Sequence, residues 1–410
     1  MMARFGLVGK KLGHSDSPAI HGLLGDADYA LFELADEDEV KDFFKNAAFK
    51  GVNVTIPYKE TAFALCDEVS PLAARLRNVN TVLRREDGTL YGDNTDAFGF
   101  RFLAERSGAA IAGKKALILG AGGAAKTVAA VLADLGAASV TMASRGGPVS
   151  LKDLSSQRDA AILVNATPVG MYPNNGATLV DPADFPGLEA VFDLICNPAR
   201  TSLMLAAEER NVPAFGGLTM LAAQAVRASE LFHGEPSGTR SGRIGEIVAT
   251  LRRRNRNLIL IGMPGCGKTA VGRELAAATG RPFRDSDAEL ERRTGRAVGE
   301  LLAEGEEAFR DRESAVLASL GKERGLVIAT GGGAVLREEN LASLSQNGLL
   351  IRVTRPLERL STAGRPLSQS GDLAAIARYR EPLYRRFADV TVANDGDVAE
   401  TVAKILEVIE

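Results

Sequence analysis

The residues most committed to one chemistry are those of GMPGCGKT, Gly262 to Thr269. Glycines at this spacing let backbone N–H groups turn toward phosphate oxygens, Lys268 reaches the outer phosphates, and the Thr269 hydroxyl can hold Mg2+. Cys266 inside the loop needs only to be small. An apolar strand, Asn257 to Ile261, runs into the loop and the amphipathic KTAVGRELAAATG leaves it, so a nucleotide such as ATP would rest its phosphates on a helix N-terminus. The loop alone does not separate a kinase from a motor or a switch GTPase, and the residues after it must decide. In FRDSDAELE, Asp285 and Asp287 are expected to alternate near a strand's C-terminal end, one for a metal shell and one to accept the proton of an attacking hydroxyl. A helix N-cap before AELERR accounts equally for Asp287. LVIATGGGAV reads as a buried strand opening into Gly331, Gly332 and Gly333, where backbone can approach a ligand closely. Arginines in GEEAFRDRE and ARYREPLYRRFADV suit bidentate contact with a carboxylate or phosphate.

A second set of candidates precedes Arg254. KKALILG runs into GAGGAA, Gly120 to Ala125, and then a helix, the arrangement in which a dinucleotide pyrophosphate sits on a helix N-terminus. The next strand, SVTMAS, ends in Ser144 and Arg145 instead of the acidic residue that takes the ribose hydroxyls of NAD, which points to NADP; a solvated turn arginine is the alternative. Because the glycine turn begins only at Gly120, the residues before it should hold most of a substrate site. In GHSDSPAIHG, Ser15 and Ser17 precede Pro18, which also suits a helix cap. In GVNVTIPYKE, Val52, Val54 and Ile56 are expected on one strand face and Asn53 and Thr55 on the other, with Lys59 just beyond Pro57. In YGDNTDAFG, Thr95 and Asp96 open a helix, and capping explains one of them but hardly the whole cluster.

The elements that must position these residues alternate between strand-like and helical runs throughout, the pattern of βαβ units and parallel sheets. The chain has 410 residues, of which 45% are hydrophobic and 25% charged, enough for two or three domains. A net charge of −3 gives no field favouring nucleic acid or an anionic membrane, so small-molecule partners are expected. The cluster Arg252, Arg253, Arg254 and Arg256 complements a helix C-terminus within a solvated linker. Three cysteines, Cys66, Cys196 and Cys266, lack metal-ligand spacing, and no apolar run has spanning length, so a cytoplasmic protein without structural disulfides is expected. The Gly/Ser/Pro-rich EPSGTRSGR places a boundary near Arg254, with no internal repeat across it.

Residues 257 to 410 together resemble shikimate kinase. The resemblance implies Gly262, Gly265, Gly267, Lys268 and Thr269 as ATP ligands, Thr269 and Asp285 as Mg2+ ligands, and Asp287 as the base that meets the substrate hydroxyls, with Lys268 also catalytic. Arg310 and Arg380 would grip the shikimate carboxylate, with Gly331, Gly332 and Gly333 packed beside the ring. GRPL resembles the family's lid, with Arg365 reaching the transferred phosphoryl and Arg359 at the position of the arginine that stacks on adenine. The stretch from Leu357 to Arg365 is shorter than the family's usual one.

Together with NVNTV around Asn80, VNATPVGMYP and GGLTMLAAQA, the earlier segments resemble shikimate dehydrogenase from residue 4 to about residue 250. This implies Lys59 and Asp96 as the catalytic pair, Ser15, Ser17, Asn53, Thr55, Asn80 and Gln224 as substrate contacts, and Gly120, Gly122, Gly123, Arg145, Thr167, Gly217 and Met220 around NADP(H). Cys196 stands where the family usually has tyrosine. The expected architecture is α/β: a substrate lobe of about residues 1–105 and 220–254, a Rossmann NADP lobe of about 106–219, and a P-loop kinase domain over 255–410 with a five-stranded parallel sheet. The implied function is bifunctional, 3-dehydroshikimate to shikimate and shikimate to shikimate 3-phosphate. The alternative is an active kinase fused to a quinate- and NAD-tuned, or a decayed and regulatory, dehydrogenase half.

Overall fold

The structure, a computed structural model, describes residues 4–13, 15–26, 28–360 and 373–409. The chain forms two compact units, one holding the residues up to Gly170 with Ala177–Cys196 and Ala206–Thr250, the other Met171–Gly176, Asn197–Leu205 and Leu251 onward.

In the first unit, β1 (Phe5–Gly9), β2 (Tyr29–Glu33), β3 (Gly51–Val54), β4 (Glu68–Val69), β5 (Thr81–Arg84) and β6 (Leu90–Asp93) form one sheet in the order β2-β1-β3-β5-β6-β4. β1, β2 and β3 run parallel, while β5 is antiparallel to both of its neighbours. All four β3 residues are buried, because a parallel region is covered on both faces and leaves no solvent side for alternation. The expected run to Ile56 therefore stops early: Thr55 begins a turn closed by the Tyr58 N–H, and Ile56 is 75% exposed.

The second sheet of this unit contains β7 (Lys115–Leu119), β8 (Ser139–Ser144), β9 (Val149–Ser150), β10 (Ile162–Asn165), β11 (Ala190–Asp193) and β12 (Ala214–Gly216), in the order β12-β11-β10-β7-β8-β9 and all parallel. The first strand, β7, lies between β8 and β10, so chain order reverses there and a crevice opens at its carboxyl end. The helix Thr95–Ser107 packs along the helix Leu218–His233. Gly99 permits that approach, since a Cβ there would lie 2.6 Å from the Met220 carbonyl oxygen. The Gly/Ser/Pro-rich stretch is mostly exposed but tethered: buried Glu230 accepts hydrogen bonds from the N–H groups of Gly238 and Arg240. Of the basic cluster, Arg252, Arg253 and Arg254 occupy the last turn of the helix Arg243–Asn255, as dipole complementarity predicts.

In the second unit, β13 (Asn257–Ile261), β14 (Phe283–Asp285), β15 (Val327–Ala329), β16 (Gly348–Thr354) and β17 (Val390–Ala393) form a five-stranded parallel sheet, β14-β15-β13-β16-β17. The alternation of β13 divides its side chains between two cores, Ile259 and Ile261 with Phe309 and Leu317 on one face, Leu258 and Leu260 with Val271 and Ile405 on the other. Gln346 and Asn347, just before β16, hold the Met171–Gly176 and Asn197–Leu205 segments of this unit: Gln346 Nε2 donates to Asn175 O (2.7 Å) and Asn347 Oδ1 accepts from the Ala199 N–H (2.9 Å). Among the described residues, no helix is long and apolar enough to cross a membrane. Ile259 is fully buried at the centre of this sheet, so Ile259→Ala should destabilise the unit by about 3 kcal/mol in urea unfolding; a loss under about 1 kcal/mol would contradict this packing.

Candidate active sites

In the first unit, Lys59 opens the helix Lys59–Leu65 directly after the turn that ends β3, and Asp96 lies in the first turn of Thr95–Ser107. Asn94 caps the latter helix by accepting from the Ala97 N–H, which leaves Thr95 and Asp96 for other work. Lys59 Nζ donates to Asp96 Oδ2 at 2.5 Å, and both side chains keep slight exposure. The other Asp96 oxygen accepts from Asn80 Nδ2 at 2.9 Å, and Asn80 Oδ1 accepts from the Thr95 N–H at 2.7 Å. Thr95 Oγ1 donates to Gln224 Oε1 at 3.3 Å, so the close helix pair at Gly99 joins Gln224 to this cluster. Asn53 is buried, with Nδ2 donating to Thr81 Oγ1 and Oδ1 accepting from the Tyr29 hydroxyl. The network thus runs without a break from Lys59 through Asp96, Asn80 and Thr81 to Asn53. Ser17 is the first residue of the helix Ser17–Leu24, and Ser15 Oγ accepts from its N–H, a cap-like role that leaves the Ser15 hydroxyl proton free to point elsewhere. Thr55 is half-buried beyond β3, its N–H bonded to Val8 O.

The glycine turn follows β7 as expected. Gly120 has φ +120°, and extended Gly122 precedes the helix Gly123–Asp134. A side chain at Gly123 would strike the Asn78 amide at 2.2 Å, so the close packing of Asn78 against this helix start requires glycine. Arg145 is exposed immediately after β8. Thr167 Oγ1 donates to Asn165 Oδ1 at the end of β10, and Gly217, following β12, abuts Leu194 O and Cys196 Sγ. Met220 is buried in the first turn of Leu218–His233. These residues gather at the carboxyl ends of strands around the reversal of strand order, where open α/β sheets bind ligands.

In the second unit, Gly265, Gly267, Lys268, Thr269, both aspartates, Arg310, Arg380 and the three glycines line one cavity of about 390 Å3. Gly262 stands behind it at the end of β13, with φ +146° and the Val353 carbonyl oxygen 2.3 Å from where a Cβ would be. Arg365 and GRPL lie outside the described residues. Lys268 Nζ bonds the carbonyls of Gly262 and Met263 at 2.8 and 3.1 Å. Thr269 Oγ1 donates to Asp285 Oδ2 at 2.8 Å, so two hard oxygen donors share a wall of the cavity, a set that fits Mg2+. The two aspartates do not alternate on a strand. β14 ends at Asp285, which caps the helix Ser286–Thr294 by accepting from the Asp287 and Ala288 N–H groups, and Asp287 stands in that helix's first turn. The cap is therefore Asp285, which frees the Asp287 carboxylate. Burial, reinforced by the charges of Asp285 and Glu313, pushes the Asp287 carboxyl up to about 6.

Four residues that the sequence reading did not single out hold this site. Glu313 pairs with buried Arg310 at 2.6 Å, and its other oxygen lies, with Asp287 Oδ1, against Gly331. Ser286 Oγ accepts from the Gly331 N–H at 2.9 Å. Tyr384 donates to Gly332 O at 2.5 Å beside Arg380 Nη1 at 2.9 Å. Asn394 Nδ2 grips Cys266 O at 2.7 Å from the end of β17. Only Glu313 carried a sequence signal, one helical turn after Arg310. Arg359 Nη1 donates to Asp395 O at 2.9 Å.

The family model for shikimate kinase matches residues 264–410, and that for the shikimate dehydrogenase substrate binding domain matches residues 7–82. The NADP(+) shikimate dehydrogenase of Clostridium perfringens is 35% identical over 253 residues, covering 57% of this chain and 93% of its own length. The shikimate kinase of Thioalkalivibrio sulfidiphilus is 46% identical over 158 residues, covering 36% of this chain and 83% of its own. The crystal structure of shikimate 5-dehydrogenase from Thermus thermophilus in complex with NADP(H) and shikimate is 36% identical with a TM-score of 0.53, covering 61% of this chain and 99% of that one. The chain belongs to the shikimate dehydrogenase family in its first part and to the shikimate kinase family in its second, a fusion of the two.

Proposed function

We propose that this chain performs two consecutive steps on one ring: reduction of 3-dehydroshikimate to shikimate with NADPH, then transfer of the γ-phosphoryl group of ATP to the shikimate 3-hydroxyl. The observation that carries the reading is the union in one chain of two families whose substrates meet, since the product of the first reaction is the acceptor of the second.

In the first step, Lys59 gives its proton to the ring ketone oxygen, and the 2.5 Å bond to Asp96 aims the ammonium. Asn80 fixes Asp96 from its other oxygen, while Ser15, Ser17, Asn53, Thr55 and Gln224 hold the carboxylate and ring hydroxyls. NADPH, when bound, supplies the hydride. Gly120, Gly122 and Gly123 present helix N-terminal N–H groups to its pyrophosphate, Arg145 faces the 2′-phosphate, and Thr167, Gly217 and Met220 border the nicotinamide side.

In the second step, Arg310 and Arg380 clamp the shikimate carboxylate. Glu313 keeps Arg310 in place, and the triple glycine lets the ring lie against backbone. Asp287 takes the proton of the attacking hydroxyl; held near 6, it stays ionised at neutral pH yet is a stronger base than an ordinary carboxylate. Lys268 exchanges its two carbonyl partners for phosphate oxygens as the nucleotide enters. Thr269 and Asp285 would hold Mg2+, whose charge offsets that of the phosphates. The three free cysteines suit a reducing compartment, and we place the enzyme in the cytoplasm.

Lys59→Ala should lower NADPH oxidation by about 100-fold or more while added shikimate is still phosphorylated, and Lys268→Ala should do the reverse. Loss of both activities in each folded variant would overturn the picture of two separable sites. Gly331→Ala places a methyl 2.5 Å from Glu313 Oε1 and 2.9 Å from Asp287 Oδ1. It should abolish phosphorylation in a coupled ATPase assay without altering the reduction, and an active Gly331→Ala kinase would contradict the close approach assigned to this loop.

A further inference from the structure

Next to the dehydrogenase residues lies a buried ionic group that the reaction scheme leaves unused. Asp26 is 2% exposed, yet its carboxylate meets two histidines, His21 Nδ1 at 2.7 Å on one oxygen and His233 Nε2 at 2.6 Å on the other. These bonds hold its carboxyl down at about 2 against the opposing effect of burial. A carboxylate only accepts, so each facing ring nitrogen carries the proton.

The two histidines belong to different helices. His21 lies in Ser17–Leu24, whose first residue is Ser17, and His233 ends Leu218–His233, which carries Gln224. Asp26 itself follows Gly25, in the left-handed conformation that stops the first helix, and its N–H returns to His21 O at 2.9 Å. The His21 ring stacks on Tyr29, with centroids 3.9 Å apart and planes within 9°. The Tyr29 hydroxyl donates to Asn53 Oδ1, which turns Asn53 Nδ2 toward Thr81 and the chain of bonds that ends at Asp96. As a device for stability alone the group is a poor choice, since desolvating a carboxylate costs several kcal/mol and an apolar cluster does as well. What it supplies is direction.

We propose that Asp26, with His21 and His233, is the positioning group of the dehydrogenase substrate site. It locks the helix bearing Ser17 to the helix bearing Gln224 and, through the stacked Tyr29, sets the Asn53 amide. The proposal rests on the reading that Ser17, Asn53 and Gln224 hold the substrate.

The test is steady-state shikimate oxidation by the full chain, with kinase activity of the same preparation reporting the rest of the protein. Asp26→Asn should raise KM for shikimate about tenfold, the worth of one hydrogen bond to a charged group, while kcat and KM for NADP stay within about twofold. His233, with a side chain 32% exposed, gives the variants most certain to fold. His233→Leu should reproduce the rise in KM, and His233→Gln, which keeps a donor facing Asp26, should restore it. Asn53→Ala separates the two layers of the argument. If Asn53→Ala leaves KM for shikimate unchanged, the substrate reading falls and the proposal with it. If Asn53→Ala raises KM while His233→Leu and Asp26→Asn do not, or lower only kcat or thermal stability, the positioning role alone is overturned. Equal behaviour of His233→Gln and His233→Leu would overturn it too.

Discussion

At the carboxyl edge of a parallel sheet, the backbone must leave a strand and enter a helix within a few residues, and both halves of this chain depend on how that is done. After β7 the turn needs Gly120 at φ +120°; after β13 it needs Gly262 at φ +146°. In each case the first glycine lies against the carbonyl where a neighbouring strand ends: a Cβ at Gly262 would lie 2.3 Å from Val353 O and force a shift, while one at Gly120 would make a tight 3.1 Å contact with Ala166 O in a left-handed conformation that favours glycine. The reward is a helix whose first N–H groups face open space at the centre of the sheet, ready for an anion. Many of the remaining candidate residues hang on strand ends and helix starts, while Arg310, Arg380 and Gln224 are supplied from within helices.

The charges near the two turns obey one further rule, that a group taken out of water needs a partner. Lys59 has Asp96, and Arg310 has Glu313. Asp287 stands among Asp285 and Glu313 with no arginine or lysine bonded to it among the described contacts, and its affinity for a proton rises accordingly. A carboxylate left in that state is a base waiting for an acid proton, which is what an attacking hydroxyl offers.

The parts of this arrangement that are local in the chain were legible in the sequence. GMPGCGKT and GAGGAA announce themselves because strand, glycines and helix are consecutive, and the lysine and aspartate of the dehydrogenase half sit in short polar interruptions of apolar runs. Ile56 does not share a strand face with Val52 and Val54, because alternation presumes a solvent face that β3 does not have. FRDSDAELE fits either a strand running through both aspartates or a helix cap at Asp287, and the structure takes neither, because the strand ends and the cap falls at Asp285. Tyr384, Asn394 and the Asp26–His233 contact, whose partners lie 52, 128 and 207 residues away, leave no pattern that one sequence can display.

The central claim is that one chain makes shikimate and then consumes it. The most direct measurement gives the purified protein 3-dehydroshikimate, NADPH, ATP and Mg2+ and follows NADPH oxidation, ADP release and product identity together. The account predicts shikimate 3-phosphate, with one NADPH oxidised and one ADP released for each molecule formed. NADPH oxidation that ends in unphosphorylated shikimate, or no oxidation while added shikimate is phosphorylated, would contradict it.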